Sequence, residues 1–439
     1  MKFCSTNNHQ LVVSLEEAVM KGLPEDKGLY IPVSIPELPD DFYKNLSFLS
    51  FQEIALAVTR NLFQGAIPEK ELSKIILQSL NFPAPVIRLD EHTFVLELFH
   101  GPSLAFKDFG ARFMAQLMGY FNRDSNGELT ILVATSGDTG GAVASGFFRT
   151  PGIRVVLLYP SGKVSFLQEQ QLTTLGHNIH ALEVEGTFDD CQAMVKQAFL
   201  DSELNALMRL SSANSINIAR LVPQSFYYFE AYKQLASKGD PVVFCVPSGN
   251  FGNLTAGLMA KRMGLPVHQF IAATNENDVV PHYLKNGIFS PRPSTPTLSN
   301  AMDVGNPSNF ARMTDLYPAT ANCSTWNNIR KDVVGFSATD LDTIDALDYT
   351  FSKYHYILDP HGAVGMHALW QYQKNINPKT RGIVLETAHP AKFVADVQHI
   401  LKIGIPIPER LASLADLDKS SKKIPAEYSI LKEFLLTIK

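Results

Sequence analysis

Apolar positions change their spacing along the chain. Over residues 1–93 the pattern is mainly helical, with apolar residues at three- and four-residue intervals over 55–63 and 74–80. Beyond this, short and nearly continuous apolar runs alternate with helical stretches. The runs at 93–99, 129–135, 154–159, 241–246, 268–274 and 382–387 read as strands. A segment starting near Ser103, another over 142–148 and a third around 254–259 read as helices. Strands that are apolar along their whole length suit a parallel sheet covered on both faces, which makes the fold class α/β. Residues 276–330 differ. They are rich in Asn, Pro, Ser and Thr and read as an irregular insertion or mobile loop. No internal repeat stands out.

Composition narrows this picture. A chain of 439 residues that is 45% hydrophobic and 18% charged has material for a large core and two or three domains. A net charge of -5 excludes a bulk basic attraction to nucleic acid. Cys4, Cys191, Cys245 and Cys323 are too scattered for a disulfide scaffold or a metal site. Neither a signal-length apolar core nor a membrane-length run is apparent. These features predict a cytoplasmic protein that acts without metal, nucleic acid or membrane.

Four segments carry candidate chemistry. Pro-Ser-Gly-Asn-Phe-Gly-Asn (247–253) leaves a strand and opens a helix, so its glycines and first amides suit an anion. Its spacing is that of neither a dinucleotide nor a nucleoside triphosphate loop, which leaves a single phosphate group. Ala-Thr-Ser-Gly-Asp-Thr-Gly-Gly (134–141) offers amides and hydroxyls to a second anion such as a carboxylate. In His-Gly-Pro-Ser-Leu-Ala-Phe-Lys-Asp-Phe (100–109), Lys107 falls in the first turn of a helix that Ser103 is expected to cap. Its apolar surroundings would lower its pKa and free the amine as a nucleophile. In Leu-Glu-Thr-Ala-His-Pro-Ala-Lys-Phe (385–393), Thr387 ends a strand where open α/β sheets place ligands, and His389 reads as a structural turn histidine. Each segment alone is as readily a turn, a cap or a surface lysine. Together they fit pyridoxal 5′-phosphate, which needs a lysine, a phosphate anchor, a ring-nitrogen partner and a dock for an amino-acid carboxylate.

These segments resemble the threonine synthase family of bacteria and fungi. Lys-Gly-Leu-Tyr-Ile-Pro (27–32), Ser-Ala-Asn-Ser-Ile-Asn (212–217) and Asp-Pro-His-Gly-Ala-Val-Gly (359–365) add to the likeness. It runs from near residue 5 to near residue 400, and the tail 405–439 contributes nothing to it. The resemblance implies the pyridoxal-phosphate fold type II, like the tryptophan synthase β family. That fold has two open twisted sheets covered by helices, here with an N-terminal extension and the irregular insertion. The expected units are 1–93; 94–128 with 225–439, including the insertion at about 276–330; and 129–224. The resemblance also implies conversion of O-phospho-L-homoserine and water to L-threonine and phosphate. By the same likeness Lys107 is the Schiff-base lysine, and Gly249, Asn250, Phe251, Gly252 and Asn253 hold the cofactor phosphate. Thr387 meets the ring nitrogen, and Ser136, Gly137, Asp138 and Thr139 surround the substrate carboxylate and the cofactor's ring oxygen. Arg112, Lys163 and Asn214 are candidates for the substrate phosphate because they lie in or near these motifs. A monomer or homodimer is expected. The alternatives are a serine/threonine dehydratase or amino-alcohol phospholyase of the same fold, or a non-catalytic binder. The last is disfavoured by the retained lysine.

Overall fold

The computed structural model describes residues 2–125, 127–235 and 241–438. Residues 1, 126, 236–240 and 439, which fall inside the expected units, lie outside the described residues. Fourteen strands occur among those described. They are β1 Lys2–Ser5, β2 Val12–Ser14, β3 Tyr30–Pro32, β4 Val86–Arg88, β5 Thr93–Glu97, β6 Leu129–Ala134 and β7 Ile153–Pro160. They continue with β8 Ile179–Glu185, β9 Arg209–Ser212, β10 Val242–Pro247, β11 Gln269–Thr274, β12 Val333–Ser337, β13 Arg381–Glu386 and β14 Ser421–Pro425.

Two sheets dominate. The larger has the order β12-β11-β10-β13-β5-β4, parallel except for the β4 edge. The smaller, β14-β8-β7-β6-β9, is parallel throughout. In β6, β10 and β13 every residue is buried, because helices cover both faces. One apolar core runs between the sheets and into the N-terminal helices. A second lies on the other face of the large sheet, and a third on the outer face of the small one.

Several expectations need correction. The N-terminal 93 residues are not only helical, since β1, β2 and β3 form an antiparallel sheet there. The region 276–330 is irregular over 288–299 but includes the helices Val279–Asn286, Phe310–Asp315 and Thr325–Ile329. Its Arg312 is fully buried, donating to Tyr30 O, Asn309 Oδ1 and Ile216 O. The tail, placed with the large unit from sequence, instead adds β14 and the helix Tyr428–Thr437 to the small sheet.

Candidate active site

Three chain segments meet at the carboxyl ends of β5, β10 and β13 in the large sheet, and a fourth arrives from β6 of the small sheet. The segments that follow β5 and β13 are tied by backbone. Phe106 N–H donates to Thr387 O at 2.8 Å, His389 N–H to Leu104 O at 3.0 Å, and Ala105 bridges Ala388. Lys107 is therefore held one residue from a direct bond to the Thr387 peptide. The Thr387 residue itself is buried.

The helix carrying the lysine is Lys107–Asn122, and Ser103 does not cap it. Leu104 takes a left-handed conformation (φ 57°), which breaks the chain before the helix can start. The Ser103 N–H is itself a donor, at 2.8 Å, to Oδ2 of Asp108 in the first turn. Lys107 thus opens the helix at its positive end, where a cation is disfavoured. The residue is half-buried, and its amine is surrounded by protein. Burial is the largest influence on it. Asp138 opposes the effect, Arg220 and Lys392 reinforce it, and the amine is lowered to about 8. A sizeable fraction is then neutral and nucleophilic near physiological pH.

The phosphate-type loop is built as an anion cradle. Phe251 is left-handed (φ 59°), and the helix Gly252–Arg262 begins without a side-chain cap, so its first amides are open. A Cβ on Gly249 would come within 2.8 Å of Met302 Cα. Asn250 is clamped from three sides. It donates to Ser215 Oγ at 2.6 Å, and its side-chain and backbone oxygens accept from Ser308 N–H and Asn309 Nδ2. The Tyr227 and Tyr228 hydroxyls both donate to Asn253 Oδ1, at 2.6 and 2.7 Å. That fixes the amide and leaves its buried Nδ2 without a protein acceptor. An unpartnered donor beside uncapped helix amides fits a phosphate, and a tempered amine at a helix start tied to the end of β13, the strand beside β10, fits an aldehyde. The residues present therefore suit pyridoxal phosphate.

The β6 loop is held by Thr135, whose hydroxyl accepts from Gly137 N–H and Gly140 N–H and so serves the loop rather than a ligand. Ser136 is exposed and Thr139 half-buried, while Gly137 has φ 135° with the Gln168 side chain against it. Asp138 opens the helix Asp138–Phe147 and is buried. Burial pushes its carboxyl up, but Lys392 and Lys107 outweigh that and hold it well below the carboxylate range.

Not every candidate joins the group. The Arg112 guanidinium donates to Ser79 O, Gln78 O and Asn81 Oδ1, satisfying the end of the helix Glu69–Ser79. It is not among the charges that act on Lys107. Lys163 is exposed just beyond β7. Asn214 is half-buried beside Ser215, which touches the phosphate-type loop. His389 caps its own turn, its Nδ1 accepting the Ala391 N–H at 3.1 Å. Sequence reasoning passed over Lys392, Arg220, Ser215 and the Tyr227–Tyr228 pair. Lys392 lies within the 385–393 segment, but nothing in its spacing marks a lysine as wholly buried.

Residues 77–387 match the family described as pyridoxal-phosphate dependent enzyme. Residues 2–80 match the threonine synthase N terminus and 362–435 the threonine synthase C-terminal region, so the likeness extends into the tail. A threonine synthase of Escherichia coli is 43% identical over 99% of both chains, and one of Haemophilus influenzae 45% identical over 97% of both. The crystal structure of pyridoxal-phosphate-bound threonine synthase from Brucella melitensis superposes with a TM-score of 0.93, at 35% identity, covering 99% of this chain and 98% of that one.

Proposed function

The chain belongs to the threonine synthase family of pyridoxal-phosphate-dependent enzymes, and from that premise we propose which substrate it takes and which residues do the work. It is a pyridoxal-phosphate-dependent lyase of fold type II. The proposed substrates are O-phospho-L-homoserine and water, the products L-threonine and phosphate.

Bound at this site, the cofactor supplies an aldehyde for the amine and a ring that takes up negative charge released when protons leave the substrate. The chain's residues are read as follows. The amides and side chains of Gly249, Asn250, Phe251, Gly252 and Asn253 hold the cofactor phosphate, with the unpartnered Asn253 Nδ2 as a donor. Thr387 offers a neutral hydroxyl to the ring nitrogen. Lys107 anchors the cofactor and then, as a free amine tempered to about 8, carries protons at the substrate's Cα and Cβ. Ser136, Gly137, Asp138 and Thr139 receive the substrate carboxylate. Asn214, next to the phosphate-type loop, is a better partner for the substrate phosphate than the exposed Lys163, and Arg112 is engaged elsewhere.

The supporting observation is that the segments bearing Lys107, Thr387 and the 249–253 loop follow strands that lie side by side and parallel in one sheet, within a chain alike from end to end to its relatives. We also propose the division into units at 93, 128 and 224, with 421–438 moved to the smaller unit. A cytoplasmic setting is supported by four unpaired cysteines, three of them buried. No helix among the described residues is long and apolar enough to cross a membrane. A monomer or homodimer is the proposed assembly. The test is to incubate the holoenzyme with O-phospho-L-homoserine and quantify products. Equal amounts of phosphate and threonine are expected, whereas a keto acid without threonine would support a dehydratase-like reaction instead.

A further inference from the structure

Lys392 lies on the turn Pro390–Phe393 that follows β13, and its side chain is 0% exposed. An ammonium so enclosed needs partners, and it has two from different parts of the fold. Its Nζ lies 2.7 Å from Asp138 Oδ1, on the loop leaving the small sheet. It also donates to Ser103 O at 2.8 Å, on the segment leading into Lys107. Two glutamines from the helix Phe166–Thr173 complete the junction. Gln168 Nε2 donates to Asp138 Oδ1 at 2.9 Å, and Gln171 Nε2 to Ser103 O at 3.1 Å. One lysine therefore joins the small-sheet loop to the lysine-bearing segment of the large sheet.

The charge pattern gives this junction a chemical purpose. A loop read as a carboxylate dock carries a buried carboxylate of its own, Asp138. Uncompensated, that carboxylate would repel an incoming anion strongly, since little water separates them. We propose that Lys392 is a positioning residue for substrate: its ammonium cancels the Asp138 charge and pins the 136–139 loop to the Lys107 segment, so that the loop accepts an anionic group. This rests on the reading above that residues 136–139 receive the substrate carboxylate. The low-lying Asp138 carboxyl agrees with a lasting ion pair.

The test uses holoenzyme and two small probes, L-threonine and 1-aminopropan-2-ol, the same molecule without its carboxylate. Affinities are read from the change in the cofactor's absorption band, and folding from thermal melting. Wild-type protein is expected to prefer threonine. Lys392→Met is expected to weaken threonine binding by about 30-fold or more while leaving amine binding within a few-fold. Lys392→Met/Asp138→Asn, which also removes the stranded carboxylate, is expected to recover most of the threonine affinity. No preference in the wild-type protein overturns the reading of the loop and the proposal with it. A preference that survives intact in Lys392→Met, or equal loss for both probes, overturns the proposal alone. If Lys392→Met does not fold, Asp138→Asn is compared with the double variant. Equal preferences then support the proposal, because no carboxylate remains for the lysine to cancel, and loss of preference on removing the lysine overturns it by showing that the ammonium acts on the probe directly.

Discussion

Single residues in this protein are read by what surrounds them rather than by their type. Lys107 and Arg112 lie five positions apart on one helix, yet one amine is drawn toward neutrality at a sheet edge and the other cation is spent on a neighbouring helix end. Arg112→Met should therefore behave as a stability variant. Loss of its three hydrogen bonds is expected to cost about 1–3 kcal/mol in denaturant unfolding. KM for the phosphorylated substrate should stay unchanged, and a large rise in KM with unaltered stability would show that the guanidinium serves the site instead.

At the scale of elements, the site depends on how β13 ends against the helix Pro360–Asn375. Glu386, the last residue of β13, is fully buried, and its Oε1 accepts the Asp359 N–H at 2.5 Å. A Cβ on Gly362 would fall 1.6 Å from its Oε2, so that glycine is what lets the helix start close to the strand. Burial first, then the nearby Asp359 and Glu97 carboxylates, push the Glu386 carboxyl well above its ordinary value of 4.5. A group raised in the folded state contributes stability that is complete below its unfolded pKa and is lost as pH rises through the folded one. Relative to Glu386→Gln, the wild-type protein should therefore lose unfolding free energy as pH climbs above 4.5, by up to about 1.4 kcal/mol per pH unit. A pH-independent difference in denaturant titrations would mean that Glu386 is ionised in the fold.

The strands of this region were readable because β10, β11 and β13 are apolar runs bounded by loops. Other elements were not. The helix starts at Lys107 rather than near Ser103, because a left-handed Leu104, which leaves no mark in composition, intervenes. β14, with the sequence Ser-Lys-Lys-Ile-Pro, buries only Ile424, so an edge strand looks like a charged tail until its partner β8 is known. Lys392 was hidden for a related reason, since its burial is set by Asp138 and Ser103 more than 250 positions away.

At the scale of the whole molecule, the chain crosses between sheets at its end. After β13 and the helix Val394–Leu401 it passes the site, where Arg410 donates to Gly101 O at 2.7 Å just ahead of the lysine segment. Leu414, Ala415 and Leu417 then offer carbonyls to Gln170, and Lys419 pairs with Glu169 and Glu183. β14 and the last helix finally cover the outer core of the small sheet through Ile424, Leu431 and Leu435. A chain ended at residue 404 would uncover that core. Three buried aliphatic side chains are worth about 5 kcal/mol or more, so such a chain should melt markedly lower or aggregate. An unshifted melting curve would mean that the tail is dispensable.

These scales meet at one nitrogen atom, because the phosphate cradle, Thr387 and the paired Asp138 and Lys392 acquire their chemical meaning from the Lys107 amine. The direct measurement is borohydride reduction of the holoenzyme, followed by digestion and mass mapping of the pyridoxyl group. The account predicts the added mass on the peptide containing Lys107 and on no other; a label on Lys392, or on any lysine outside the 100–109 segment, would contradict it.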